Sequence, residues 1–338
     1  MPRQARIDLP GYLYHLIVRG VERRSIFRTD GDRSDFLSRL RDGLQRTASV
    51  CLTWALMTNH FHLLILAGPE GLSTLMHPLL TGYVGGFNRR YRRVGHLVQN
   101  RFKAILCQSD AYCRELIRYI VLNPVRAGMI QTPQALADYP WTGHAAILGR
   151  IAAPWQATDE VLSHFGRQEG PARAAYESHV IEGWNQKHRA DLEGGGLIRS
   201  LGGMAEVLKA KARGDHQAFD SRILGDGQFV EAILRQVDKR EGEHHAAVLS
   251  GVTLEMLQQR AAAWMSIDPM ALLRRDRRHA VSQARALWVY AATEILQVRS
   301  SMFEKLLAKS SGAISDIRKR GERLATDQRF LDSFLKKL

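Results

Sequence analysis

Two histidines one residue apart carry the sharpest chemical signal in the sequence. The segment Asn59-His60-Phe61-His62-Leu63-Leu64-Ile65-Leu66 is strongly apolar and reads as strand. Alternate strand residues share a face, so His60 and His62 project together, roughly 6–7 Å apart along the chain, while Phe61 points away. Two imidazoles so placed suit one divalent ion. The same pattern also suits two histidines satisfied by hydrogen bonds at a strand end. A second pair sits on the helix expected from Ala111 to about Leu122, where Tyr119 and Asn123 stand at i and i+4 on one face. A phenol is a poor nucleophile at neutral pH because its pKa is about 10. A metal that polarises a scissile phosphate compensates for that weakness. Asn123 offers a neutral oxygen ligand one helical turn away. Two imidazoles and a carboxamide leave an ion's charge uncompensated and its coordination open, which suits Mg²⁺ or Mn²⁺ acting on a phosphodiester. Tyr112, seven residues earlier near the same helical face, competes as nucleophile but lacks an Asn one turn on. Without such partners, either tyrosine reads as core.

The elements that must hold these residues alternate between strand and helix. Tyr12–Arg19 is a short β-type run, and Gly20 allows a turn. From Asp32 to about Arg46, Phe36, Leu37, Leu40 and Leu44 recur at helical spacing. Cys51–Leu66 is apolar on both alternating faces, as in a strand covered on both sides. Ser73–Tyr91 reads as helix, interrupted at Pro78 and Gly85–Gly86, and Asp110 is placed to cap the helix that Asn123–Pro124 ends. The order predicts a compact α/β sandwich with helices packed on one antiparallel sheet. Tyr139–Trp141 and Gly149–Trp155 suggest a boundary. Leu197–Leu201, bracketed by Gly194–Gly196 and Gly202–Gly203, is the most linker-like stretch, and the remainder reads as helix. The expected division is 1–150, a helical accessory region 151–240, and a helical domain 241–338.

Charge points to a polyanionic partner. The 338 residues hold 48 Lys+Arg against 34 Asp+Glu, a net +14, carried by 38 Arg and only 10 Lys. Residues 1–150 contain 19 Arg and one Lys, Lys103, against ten acids, and residues 274–320 contain eleven bases against four acids. Those segments hold +10 and +7, so the rest is net acidic by 3 and the charge is concentrated rather than spread. Three cysteines without CxxC spacing argue against a disulfide scaffold or zinc ribbon and fit a reducing cytoplasm. No export signal or membrane span is expected, since the opening MPRQARIDLP lacks an apolar region and no run nears the ~20 residues a span needs.

From about Tyr14 to Trp141 the sequence resembles the REP-associated tyrosine transposases, single-tyrosine HUH enzymes related to the IS200/IS605 family. The resemblance rests on Val18-Arg19-Gly20, Ile26-Phe27, Ala55-Leu56-Met57-Thr58-Asn59-His60-Phe61-His62, Phe87-Asn88-Arg89-Arg90-Tyr91, Gln99-Asn100-Arg101-Phe102-Lys103 and Arg118-Tyr119-Ile120-Val121-Leu122-Asn123-Pro124-Val125-Arg126-Ala127-Gly128, in that order. It implies a ferredoxin-like fold, His60 and His62 as the metal-binding pair, Tyr119 as nucleophile and Asn123 at the third ligand position. It further implies attack on single-stranded DNA beside a REP-type hairpin, with a 5′-phosphotyrosine formed and a 3′-hydroxyl freed. No nucleotide cofactor is needed, because the covalent link conserves the bond energy.

Two basic surfaces are expected to meet DNA. Arg89, Arg90, Arg92, Arg93, Arg101 and Lys103, interleaved with Phe87, Tyr91 and Phe102, describe a single-strand groove whose aromatics belong to the core, and Arg19, Arg23 and Arg24 form a second patch. Near the C-terminus, Ala280, Ala284, Leu287, Trp288, Ala291, Ala292 and Ile295 share one helical face. A short helix at Phe303–Ala308, a Ser310-Ser311-Gly312 turn and a second helix burying Ile314 and Ile317 read as helix-turn-helix, presenting Ser311, Ser315, Arg318 and Lys319. From Arg277-Arg278 through Arg320 this stretch is similar to the DNA-binding C-terminal domain of the replication initiator DnaA, though that protein's most telling recognition-helix motif is not reproduced.

The combined expectation is an α+β HUH catalytic domain followed by an all-α helix-turn-helix domain. It would be a metal-dependent single-strand DNA endonuclease and strand-transferase that also binds duplex DNA, as a monomer or homodimer, in the nucleoid-associated cytoplasm. The alternative is a domesticated DNA-binding regulator that no longer cleaves. A plasmid-nicking HUH enzyme is disfavoured by the short single-tyrosine domain and the Leu122–Gly128 segment.

Overall fold

The structure is a computed structural model, and it describes residues 6–99, 102–185, 220–249, 251–298 and 300–327. Arg101 and the Gly194–Gly203 linker expectation lie outside the described residues. The chain divides into two compact units, Met1–Ala232 and Ile233–Leu338.

The first unit is built on strands β1 (Leu13–Arg19), β2 (Val50–Leu56), β3 (His60–Leu66), β4 (Lys103–Cys107) and β5 (Ile223–Leu224), in sheet order β2-β3-β1-β4-β5. The first four pair antiparallel, and β5 adds a parallel two-residue edge to β4. Helices α1 (Asp30–Thr47) and α2 (Leu72–Arg90) meet one face, where Phe61 packs against Phe36 at 4.6 Å and Phe36 against Tyr83 at 5.3 Å between ring centres. The other face, with Leu13, Ile17, Ala55, Leu64, Ile105 and Cys107, shares a core with helix α3 (Ser109–Val121) through Cys113, Leu116, Ile117, Ile120 and Val121. Both faces are therefore covered, which explains why β1, LYHLIVR, is apolar at successive positions and buried almost throughout.

Four expectations change. Cys51–Leu66 is not one strand but a β2–β3 hairpin turning at Met57-Thr58-Asn59. The turn is fixed from outside, by Ile26 and Phe27 amides donating to Thr58 O and by Gly20 N donating to Asn59 O. Helix α2 runs unbroken through Pro78 and Gly85–Gly86, because its Leu72, Leu75, Met76, Leu79, Tyr83 and Phe87 are buried and tertiary packing outweighs propensity. Asp110 is not the cap of α3: the helix begins at Ser109 after Gln108, so Asp110 falls in the first turn. The sheet is also not wholly antiparallel, because β5 pairs parallel to β4.

After α3 come α4 (Asn123–Arg126), α5 (Pro133–Ala137), α6 (His144–Ile147), α7 (Thr158–Ser163) and α8 (Glu169–Glu182). Val161, Leu162, Ala172, Tyr176 and Val180 from the last two join the core under α3. Helix α9 (Gly227–Leu249) contains the point of division between the units.

In the second unit, α10 (Leu254–Trp264), α11 (His279–Ile295), α12 (Ser300–Leu307) and α13 (Ser311–Asp327) enclose a core of Leu257, Leu287, Trp288, Ala291, Ile295, Phe303 and Ile314. The expected face of α11 is buried at Ala284, Leu287, Trp288, Ala291, Ala292 and Ile295. Helices α11 and α13 cross closely at Gly321, where a Cβ would stand 2.0 Å from Ala286 O. The buried Arg285 guanidinium donates to the carbonyls of Ala271, Leu272, Arg274 and Asp276, and so fixes the basic loop before α11. Among the described residues, no helix is long and apolar enough to cross a membrane.

Candidate active site

The β1–β3 register decides which side chains meet. Ile17 stands opposite His62 and Arg19 opposite His60, so both histidines lie on the face that α3 covers. Ile17 also pairs with Lys103 across β4, which places the Lys103 and Arg19 positions on this same face. The two histidine rings are 5.2 Å apart between centres and nearly perpendicular. Tyr119 approaches from α3, its ring 6.0 Å from that of His62 and edge-on. The structure thus brings together His60, His62 and Tyr119 from a hairpin and a helix.

Each imidazole is oriented by a second side chain. His60 Nδ1 is 2.7 Å from Asn59 Oδ1, and Asn59 Nδ2 donates to Arg23 O at 3.0 Å. Because that nitrogen faces an acceptor it carries the proton, leaving the His60 lone pair on Nε2. His62 Nδ1 is 2.9 Å from Nε2 of His15, a fully buried residue of β1. Burial, followed by the nearby His15, His60, Arg19 and Arg126, pushes the His62 pKa well below its ordinary value. A neutral imidazole is the form that binds a metal.

Tyr119 is enclosed, with 1% of its surface exposed. The Arg126 guanidinium lies 4.7 Å over its ring and donates to Tyr119 O at 2.8 Å. Asn123 is buried, and its Nδ2 donates to the carbonyls of Tyr119 and Ile120, so the amide closes the end of α3 and its Oδ1 is the atom with lone pairs to offer a cation. Tyr112 is only partly buried and packs at the edge of the same core. Among the described residues, no three His, Cys, Asp or Glu side chains are grouped to hold a metal.

The expected DNA-contacting residues divide. Arg23, Arg89, Arg92 and Lys103 are exposed, Arg19 and Arg93 are half-buried, and Arg24 is exposed beside Glu22. Arg90 is not a free cation: it pairs with Asp32 and Asp35 and ties α2 to α1. Asp32 also accepts from Tyr91 and from the Arg28 and Thr29 amides. Burial pushes its carboxyl up, but those hydrogen bonds outweigh it and leave the group below the usual range. Phe87 and Phe102 are core, as expected. In the second unit Arg277, Arg278 and Lys319 are exposed and Ser311 is half-buried, with Arg278 chelating Asp276. Ser315 and Arg318 are corrected: both are buried, and Arg318 bonds Glu294 of α11 at 2.9 Å instead of facing solvent.

Two residues of the site escaped sequence reasoning. His15 signals itself only as an imidazole in an otherwise apolar and aromatic strand. Arg126 lies inside the Arg118–Gly128 motif, but only its place over the Tyr119 ring gives it a role.

Residues 9–123 match the family model described as "Transposase IS200 like". The match runs from before β1 to the first residue of α4, so it contains His15, His60, His62, Tyr119 and Asn123. It supports a transposase, a DNA-processing protein, for the part of the chain that carries the site. A solved structure described as "Structure of the REP associates tyrosine transposase bound to a REP hairpin" is 17% identical, covers 47% of this chain and 90% of its own, and has a TM-score of 0.37. No curated protein matches the chain.

Proposed function

We propose that the first unit is a metal-dependent single-strand DNA endonuclease and strand-transferase acting on REP-type hairpin DNA. The observation that carries this reading is Tyr119 against the His62 ring at 6.0 Å, with the Arg126 guanidinium 4.7 Å from the tyrosine ring centre. Tyr119 Oη forms a bond to phosphorus as the P–O3′ bond breaks, giving a 5′-phosphotyrosine. The phenolic proton ends on the freed 3′-hydroxyl, which attacks the phosphotyrosine in reverse to rejoin strands.

His60 and His62 fit a divalent ion, since each has its Nδ1 within hydrogen-bond distance of a neighbouring side chain and burial keeps His62 in the neutral form a metal requires. Asn123 Oδ1 completes the set this chain offers. When bound, Mg²⁺ or Mn²⁺ supplies charge neutralisation and polarisation of the phosphate. Arg126 holds the Tyr119 ring, and Arg19 and Lys103 place positive charge on the same sheet face for the DNA backbone.

For the second unit, the exposed Arg274, Arg275 and Arg277 beside α11, with Ser311 and Lys319 on α13, support duplex DNA binding in the manner of a helix-turn-helix. The enclosed state of Tyr119 is the observation favouring a regulator that binds without cleaving. A labelled hairpin with a single-stranded flank, incubated with Mn²⁺ and run on a denaturing gel, separates the two. A protein–DNA adduct in wild type that is lost in Tyr119→Phe supports the enzyme; retained binding without an adduct supports the regulator.

A further inference from the structure

We propose that His15 is a positioning residue for the metal pair: its Nε2 accepts the Nδ1–H of His62 and so keeps the lone pair on His62 Nε2, the atom left to bind a divalent ion. The inference rests on the metal-binding reading of His60 and His62.

A neutral imidazole has one N–H and one lone pair. If the lone pair goes to a cation, the other nitrogen must carry the proton and needs an acceptor. For His62 that acceptor has to come from the protein, because the ring is fully buried. His15 Nε2 stands 2.9 Å from His62 Nδ1, and the two rings lie nearly parallel, at 23° with centres 5.2 Å apart. His60 meets the same requirement with a different acceptor, Asn59 Oδ1 at 2.7 Å. Both bonds have the same polarity, and both leave Nε2 as the donor to a metal.

The sheet explains how the contact arises. His15 pairs with Leu64 and Ile17 with His62, so His15 is the diagonal neighbour of His62 on the face that α3 covers. Leucine or valine would fill that face in an ordinary core strand, yet an imidazole stands there at 0% exposure, and a buried polar ring is costly unless a partner satisfies it. The His15 ring also meets Tyr119 edge-on at 5.9 Å, so it adjoins both His62 and Tyr119. The opposite polarity, with His15 Nε2–H donating, would put a proton on His62 Nε2 and block it.

The test uses the full-length chain labelled with ¹⁵N-histidine, metal-free, with His62 assigned by comparison with His62→Gln. Ring ¹⁵N–¹H correlation spectra should show His62 as the Nδ1–H tautomer. Mn²⁺ titration followed by electron paramagnetic resonance should show a loss of about 10–100-fold in affinity for His15→Leu. His15→Gln, which restores a carbonyl acceptor, should recover most of it. An Nε2–H tautomer of His62 in wild type overturns the inference, as does Mn²⁺ affinity unchanged in a folded His15→Leu. If His15→Leu does not fold, the wild-type tautomer and the His15→Gln affinity decide. Wild type that binds no Mn²⁺ overturns the metal reading itself, whereas tight binding indifferent to residue 15 overturns only the role of His15.

Discussion

Arg126 lies over Tyr119 with its guanidinium carbon 4.7 Å from the ring centre, while one of its nitrogens donates to the Tyr119 carbonyl at 2.8 Å. One side chain therefore restrains both the ring and the helix end that carries it. Arg126→Ala removes a partly buried cation–π contact and a charge-assisted hydrogen bond, a loss of about 1–3 kcal/mol in the stability of the first unit. Urea unfolding read by hydrogen exchange in α3 measures this. Arg126→Lys keeps the charge without the planar stack and should fall between the two. Equal stability of all three proteins would show that the contact contributes nothing.

Replacing both His60 and His62 by Ala should remove Mn²⁺ binding and metal-dependent cleavage while the sheet remains folded. His60 is at the end of β3 and Ala is compatible with the strand, so circular dichroism should be near wild type. Cleavage that persists in the double variant at wild-type rate contradicts the metal assignment.

Acid should weaken the first unit through His144. Burial pushes this imidazole down to about 4, and its Nδ1 lies 2.7 Å from the Tyr176 hydroxyl. Burial also holds Tyr176 well above the ordinary phenol range, so the hydroxyl stays protonated and donates to the neutral ring. The unfolded ring titrates near 6.5 and binds a proton before the folded one does. Stability is therefore full above about pH 6.5 and falls by about 3 kcal/mol as the pH drops through about 4. Hydrogen exchange in α6 and β2 at pH 7.5 and pH 5 should show the loss, and His144→Gln should show a shallower pH dependence. Identical slopes for the two proteins would exclude His144 as the source.

In the second unit, neighbouring cations on α13 should behave differently. Arg318 is 6% exposed and bonded to Glu294, which Arg240 also approaches at 3.6 Å, so Arg318→Ala removes one of two cations from a partly buried carboxylate and should cost about 1–3 kcal/mol. Lys319 is exposed, and Lys319→Ala should leave the melting curve unchanged while weakening duplex DNA binding and reducing its salt dependence. Calorimetry and fluorescence anisotropy separate the two effects, and a Lys319→Ala variant with wild-type DNA affinity at every salt concentration would remove that residue from the DNA surface.

The parts of the site that sequence spacing exposes are those governed by local geometry. His60 and His62 show themselves because a strand repeats every two residues, and Tyr119 and Asn123 because a helix brings i and i+4 together. What stayed hidden depends on partners far along the chain. His15 meets His62 across 47 residues, Arg90 meets Asp32 across 58, and Arg318 meets Glu294 across 24, so nothing local marks the two arginines as structural and not DNA-facing. The β2–β3 turn escaped because Met57 continues the apolar run and the bonds that fix Thr58 and Asn59 come from residues 20–27. Strand β5 is two residues long and pairs with residues more than a hundred positions earlier, too short and too remote for any pattern to reveal.

Tyr119 is the residue proposed to become joined to DNA, and peptide mapping of the covalent adduct distinguishes it from Tyr112. Trypsin cuts after Arg118 and after Arg126, so Tyr119 falls in the peptide 119–126, while Tyr112 falls in 104–114. After reaction with hairpin DNA and Mn²⁺, nuclease trimming and mass spectrometry should find a nucleotide on the 119–126 peptide and an unmodified 104–114 peptide. A nucleotide on Tyr112, or an adduct that persists in Tyr119→Phe, would contradict it.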